Sequence, residues 1–140
     1  VKKCLPLIFS VVFLIGCTTD DDAGNIAQNL APTISVDLPD NFVFGQSYDI
    51  KVLYKRPSTC HSFSGLDVAR NANVITIGVV TSFPTNNPNC VTTGNLEASA
   101  IINFVAERDD FYIFKFWQGR TSGIDKFLII QVPVTPPAMN

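Results

Sequence analysis

Leu96, Ala98, Ala100, Ile102 and Phe104 fall at every second position of one continuous stretch, and a period of two is the spacing of side chains on one face of a β-strand, not of a helix. The same period recurs on both sides. Ile34, Val36 and Leu38 alternate with Thr33, Ser35 and Asp37 before a turn at Pro39-Asp40-Asn41, and Gly45-Gln46 turns the chain into Tyr48, Ile50, Val52 and Tyr54, which ends at Pro57. Phe63 to Arg70 and Val74 to Phe83 flank Asn71-Ala72-Asn73 and read as a hairpin. After Glu107-Arg108-Asp109-Asp110, which supplies a turn, come Phe111 to Trp117, a loop at Gly119 to Gly123, and Phe127 to Val134. Val, Ile, Phe and Thr dominate these segments and strong helix formers are scarce. Seven short strands with turns about every ten residues predict an all-β domain over 33–135, an immunoglobulin-like two-sheet β-sandwich, with a small β-barrel as the alternative and 136–140 as a tail after the last strand.

The N-terminus has a different grammar. Lys2 and Lys3 form a basic head, Leu5 to Ile15 an apolar run, and Leu14-Ile15-Gly16-Cys17 closes it with a small residue before a cysteine. The run is shorter than the roughly 20 apolar residues that span a bilayer and carries Pro6 near its start, so a secretion signal fits better than a transmembrane helix. Leu14-Ile15-Gly16-Cys17 resembles the lipobox of bacterial lipoprotein signal peptides. The resemblance implies removal of residues 1–16, diacylglycerol on the Cys17 sulfur and acylation of the new amino group, a covalent lipid and no other cofactor. At about 0.8 kcal/mol per buried methylene, two or three chains make a lasting membrane anchor.

Residues 17–32 then read as the lipidated cysteine and a flexible acidic tether, polar and closed by Pro32. Asp20-Asp21-Asp22 is also similar to the surface-export signal of Bacteroidota lipoproteins, so both faces of an outer membrane stay open as locations. Loss of Lys2 and Lys3 leaves eight basic residues against twelve acidic ones, a formal charge of −4. No basic patch suggests nucleic acid. Cys4 leaves with the signal and Cys17 takes lipid, so Cys60 and Cys90 remain as a disulfide that clamps the hairpin at its open ends.

Few residues point to chemistry. Tyr112, Phe114 and Phe116 share one strand face and Phe111, Ile113, Lys115 and Trp117 the other. If the first set is core, Trp117 lies outside, where exposed aromatics stack on sugar rings; the competing reading buries both faces, with Lys115 reaching for water. Asn86 and Asn87 in the Pro84 to Gly94 loop and Arg120 in the Gly119 to Gly123 loop complete the candidate ligand surface. Cys60-His61 offers too few ligands for zinc, no Gly-x-Ser-x-Gly occurs, and Asp67, Glu97 and Glu107 cannot be paired into a hydrolytic site from sequence, which leaves a glycan-active hydrolase as a minor alternative. His61 reads as a surface residue beside the disulfide.

Together the lipobox, the acidic tether, Pro57 with Cys60-His61, and Tyr112-Ile113-Phe114-Lys115-Phe116-Trp117-Gln118-Gly119 with Leu128-Ile129-Ile130 resemble a group of short Bacteroidota lipoproteins. This implies location and fold and carries over no catalytic residue. The expectation is a non-enzymatic binding or accessory module on the cell envelope, lipid-anchored in the outer membrane. The alternatives are a structural subunit that lends a sheet edge to an envelope complex, and a glycan-binding protein.

Overall fold

The computed structural model describes residues 25–139. Cys17, the signal segment and residues 18–24 of the tether lie outside the described residues. Nine strands follow in order: β1 (Ile26–Ala31), β2 (Thr33–Asp37), β3 (Phe42–Val43), β4 (Ser47–Lys55), β5 (Ser62–Asn71), β6 (Val74–Pro84), β7 (Glu97–Val105), β8 (Phe111–Thr121) and β9 (Ile124–Thr135). They form a six-stranded sheet, ordered β1-β6-β8-β9-β3 with β5 paired to β6, and a three-stranded sheet, β2-β4-β7. The architecture is the two-sheet sandwich, and the sheets do not close into a barrel.

Period two decides which face is buried. Ile50, Val52 and Tyr54 of β4, Ala100 and Phe104 of β7, Ile75, Ile77 and Val79 of β6, and Tyr112, Phe114 and Phe116 of β8 meet between the sheets, while Asp49, Lys51, Ser99 and Asn103 on the alternate positions stay exposed. Burial of this apolar surface is the main stabilising term. One strand then serves three neighbours. β5 runs along β6 from Val74 to Ser82, whereas the other edge of β6 is shared: Val74 to Ile77 pair in parallel with β8, and Val79 to Pro84 pair antiparallel with β1. Gly78 sits where the partner changes, and a Cβ there would come within 2.9 Å of Leu30 Cδ2 on β1. The parallel β6–β8 pair arises because the connection between them passes through β7 in the other sheet.

Three local expectations are corrected. The tether read over 17–32 ends earlier, because Ile26–Ala31 is strand β1; Gln28 and Asn29 are exposed and hide its pattern, but β6 outruns β8 and offers an unpaired edge that β1 fills. Phe42–Val43, assigned to none of the seven expected strands, is β3, which pairs in parallel with Val134 and Thr135 of β9. The Gly119 to Gly123 loop is mostly strand. β8 runs to Thr121, β9 starts at Ile124, and Ser122 and Gly123 turn between them with φ of 52° and 78°, the left-handed pair of a two-residue hairpin turn.

The Cys60–Cys90 disulfide is formed, with a Cα–Cα distance of 5.3 Å. It ties the segment before β5 to the loop after β6, beside a reciprocal contact in which Thr59 N–H donates to the Val91 carbonyl (2.9 Å) and Val91 N–H to Thr59 Oγ1 (3.0 Å). Closing a loop across a separation of 30 residues contributes about 3 to 4 kcal/mol through the unfolded chain's entropy. Reduction, or the pair Cys60→Ala and Cys90→Ala, is therefore expected to lower the unfolding free energy by about that amount, read from urea curves with and without reductant. Thiol alkylation of the unreduced protein should leave both cysteines unlabelled.

Candidate functional site

The outer face of the six-stranded sheet carries the most developed surface feature. Trp117 on β8 is paired across the sheet with Phe127 on β9, so regular alternation would put Arg120 on the opposite face from Trp117. A bulge prevents this. Register shifts between Trp117 and Gly119, Gln118 is the extra residue, and Arg120 pairs with Asp125. The shift is accommodated by Gly119 at φ 116°, where a side chain would be strained. Gln118 turns away and donates from Nε2 to the Thr33 carbonyl at 3.2 Å, fastening the bulge to the other sheet. Trp117 and Arg120 consequently line one depression of about 210 Å³ with Phe127, Leu30, Asp67 and Asp125.

The rim is tied together by one carboxylate. Asp125 Oδ1 accepts from Trp117 Nε1 at 3.1 Å and from Arg120 Nε at 2.9 Å. The Arg120 hydrogen bond first, and the Trp117 hydrogen bond second, hold the Asp125 carboxyl below its ordinary pKa. Both bonds favour the ionised carboxylate, the form that accepts from the indole. Lys115 Nζ lies 4.6 Å from the centre of the Phe127 ring, a second cation beside the aromatic pair. The result is a half-buried indole with a phenyl ring beside it, flanked by carboxylates and a guanidinium, an arrangement suited to stacking on a ring while hydrogen-bonding its periphery.

Asn86 and Asn87 are not part of it. They lie beyond the end of β6, in the exposed turn where Asn87 Oδ1 accepts from Asn89 N–H at 2.9 Å, about 20 Å along the strand from Gly78. The sequence could not show this separation, because it depends on β6 running through to Pro84. The aromatic partner Phe127 and the carboxylate Asp125 were missed; the signal was their place opposite Trp117 and Arg120 across the hairpin, legible only once the bulge is known. Glu97 and Glu107 flank β7 at opposite ends and Asp67 lies on the other sheet, so the three carboxylates do not converge.

At the disulfide end, His61 is buried rather than on the surface, 6% exposed, because its ring stacks on Phe83 with centroids 4.3 Å apart. Its Nδ1 is 2.7 Å from Ser58 Oγ, which also accepts the Cys60 N–H at 3.2 Å. Nε2 has no partner. Desolvation first, and the Arg56 charge second, push the His61 pKa below its ordinary value. In the Asp109-Asp110 turn, Arg108 grips Asp110 through two bonds of 2.9 and 2.8 Å, and that hydrogen bond, with one from the Phe111 backbone, lowers the Asp110 pKa to about 2. No group of three or more metal-ligating side chains is found among the described residues.

Comparison with known proteins leaves the geometry to speak alone: no family model, no curated protein and no solved structure matches this chain.

His61 is the chain's single histidine, which makes its titration readable. A base with a depressed folded pKa binds its proton more readily when unfolded, so its contribution is full above the ordinary value near 6.5 and falls as pH drops through that value toward the folded one. The thermal midpoint is expected to decline from pH 7 to pH 5, and His61→Gln should flatten that slope. The carboxylates of Asp110 and Asp125, whose pKa values are lowered, act only below about pH 4.

Proposed function

We propose that this chain is a non-enzymatic binding module of the bacterial cell envelope, anchored through lipid on Cys17, with the Trp117 face as its ligand surface and a glycan as its ligand class. The observation that carries this reading is the Trp117–Phe127 pair set outward on a rigid sheet, with Asp125 orienting the indole and Arg120 brought to the same side by the bulge. Flat apolar ring faces with polar edges are the chemistry of sugars, and an aromatic platform rimmed by a carboxylate and a guanidinium answers both parts. A site on β-strands instead of loops keeps its geometry before the ligand arrives, so little ordering entropy is lost on binding. The anchor supplies address and high local concentration; the sheet supplies recognition.

Trp117 is the chain's one tryptophan, so its emission reports this site without background. Titration with envelope-derived and dietary oligosaccharides is expected to shift or quench the emission saturably for at least one class, and Phe127→Ala or Arg120→Ala should weaken that binding about tenfold. Emission unmoved by every oligosaccharide would refute the glycan class. Protease shaving of intact cells, with mass spectrometry of the released domain, tests the address: release or protection distinguishes the outer face from the periplasm, and recovery of an unlipidated protein in the soluble fraction would refute the anchor.

A further inference from the structure

The two sheets differ in width, and the mismatch leaves a step along one side of the sandwich. Ile75 and Ile77 of β6 are each 2% exposed, yet their cross-strand partners on β5, Arg70 and Val68, lie open, Val68 at 43%. Cover by the three-stranded sheet therefore stops between β6 and β5, and β5 projects beyond β7 as a ledge. β7 is the last strand of its own sheet. Arg56 N–H donates to the Leu96 carbonyl at 2.8 Å and Ala106 N–H to the Gln46 carbonyl at 3.0 Å, both in the register that continues through the β4–β7 ladder. In such a ladder alternate residues turn both backbone polar groups toward the neighbour. The even-numbered residues of β7 thus face β4, while Ser99, Ile101, Asn103 and Val105 present their N–H and C=O groups to the open edge.

This edge lacks the devices that normally blunt one. β7 contains no lysine, no proline and no bulge, and it exposes Ile101 at 54% and Val105 at 42%. Other edges are blunted: β2 by a shift between Thr33 and Ser35, β5 by one between Phe63 and Gly65, the uncovered part of β9 by Lys126 and Pro133, and β1 by its short length and Pro32 after it. Between the ledge and the β7 edge lies a cavity of about 350 Å³ lined by Leu66, Val68, Ile77, Ile102 and Phe114, with Arg70 as the single charge. The Arg70 guanidinium rests 5.9 Å from the centre of the Phe104 ring and forms no salt bridge among the described residues.

We propose that this slot receives an extended segment of another protein, which adds as a fourth strand beside β7, lays alternate apolar side chains on the β5–β6 ledge and sets a carboxylate against Arg70. Unpaired backbone groups at strand spacing ask for another backbone, the apolar floor beneath them asks for a period of two, and the lone cation selects an acid. A second copy of this chain fits poorly: docked β7 to β7, each copy would drive its projecting β5 into the space held by the other's ledge. This site is separate from the Trp117 face and stands or falls without it.

The test uses two capped peptides of about seven residues, the length of a common strand, that alternate valine and threonine and carry glutamate at one end or the other. One of them is expected to slow hydrogen exchange at the Ser99, Ile101, Asn103 and Val105 amides by at least about tenfold, the equivalent of 1.4 kcal/mol, without altering the Trp117 emission. Arg70→Glu should weaken that peptide about tenfold and favour its lysine counterpart. Ile101→Pro removes only an edge-facing N–H, so it should keep the thermal midpoint and lose binding. Unchanged exchange at the four amides with both peptides would overturn the proposal. So would equal protection by a control with serine in place of valine, or protection that coincides with a doubled molecular mass, which would assign the edge to a second copy.

Discussion

The structure depends on one aromatic cluster that spans both sheets. Phe42 enters from the two-residue strand β3 and meets Tyr48 at 4.8 Å and Phe104 at 5.1 Å, both in the three-stranded sheet, and Phe114 at 5.9 Å in the six-stranded one. Phe104 in turn lies edge-on to Tyr112 and Phe114, at 4.9 and 5.3 Å. Edge-to-face packing of this kind adds to simple burial because ring edges meet ring faces. The polar ends of the rings are also used: Tyr48 Oη accepts the Val43 N–H at 2.7 Å, and Tyr112 Oη accepts from Glu107 and Arg108 at 2.9 and 3.1 Å. The same side chains therefore fill the core and hold the turns that close one end of it.

A three-stranded sheet cannot cover a six-stranded one, so part of the wide sheet's inner face beyond β7 stays open in addition to its whole outer face. On the outer face of the wide sheet, the Gln118 bulge brings Arg120 round to Trp117, and Asp125 locks both. On the open side, the β5 ledge leaves a slot beside an unblunted β7. Neither feature is needed by the core. The disulfide and the buried His61–Phe83 stack hold the far end of the β5–β6 hairpin, so these surfaces are presented on a scaffold constrained at both ends.

The sequence carried the strands and the core more fully than the site. Tyr48, Ile50, Val52 and Tyr54, and Ala98 through Phe104, alternate because one face is buried and the other is wet, and that asymmetry is written directly into residue type. β1 left no such trace, since its partner is the overhang of β6 and its outer face mixes apolar Ile26 and Leu30 with polar Gln28. Phe42 stood in a stretch too short to show any period. Alternation set Trp117 on the face opposite Tyr112, Phe114 and Phe116 but left open whether that face is wet or buried, and its partnership with Arg120 was not legible, because a single inserted residue reverses the parity on which the reading rests. Asn86 and Asn87 joined the candidate surface only by residue type, and chain direction along β6 carries them away from it.

The dependence on the aromatic cluster is tested most directly by Phe42→Ala, with unfolding followed in urea at intact disulfide. Phe42 is fully buried and touches both sheets, so truncation is expected to cost about 3 to 5 kcal/mol with an unchanged denaturant slope. A loss below about 1 kcal/mol, the level of an ordinary surface change, would mean that the sheets are held together elsewhere and that β3 merely rests on a core complete without it.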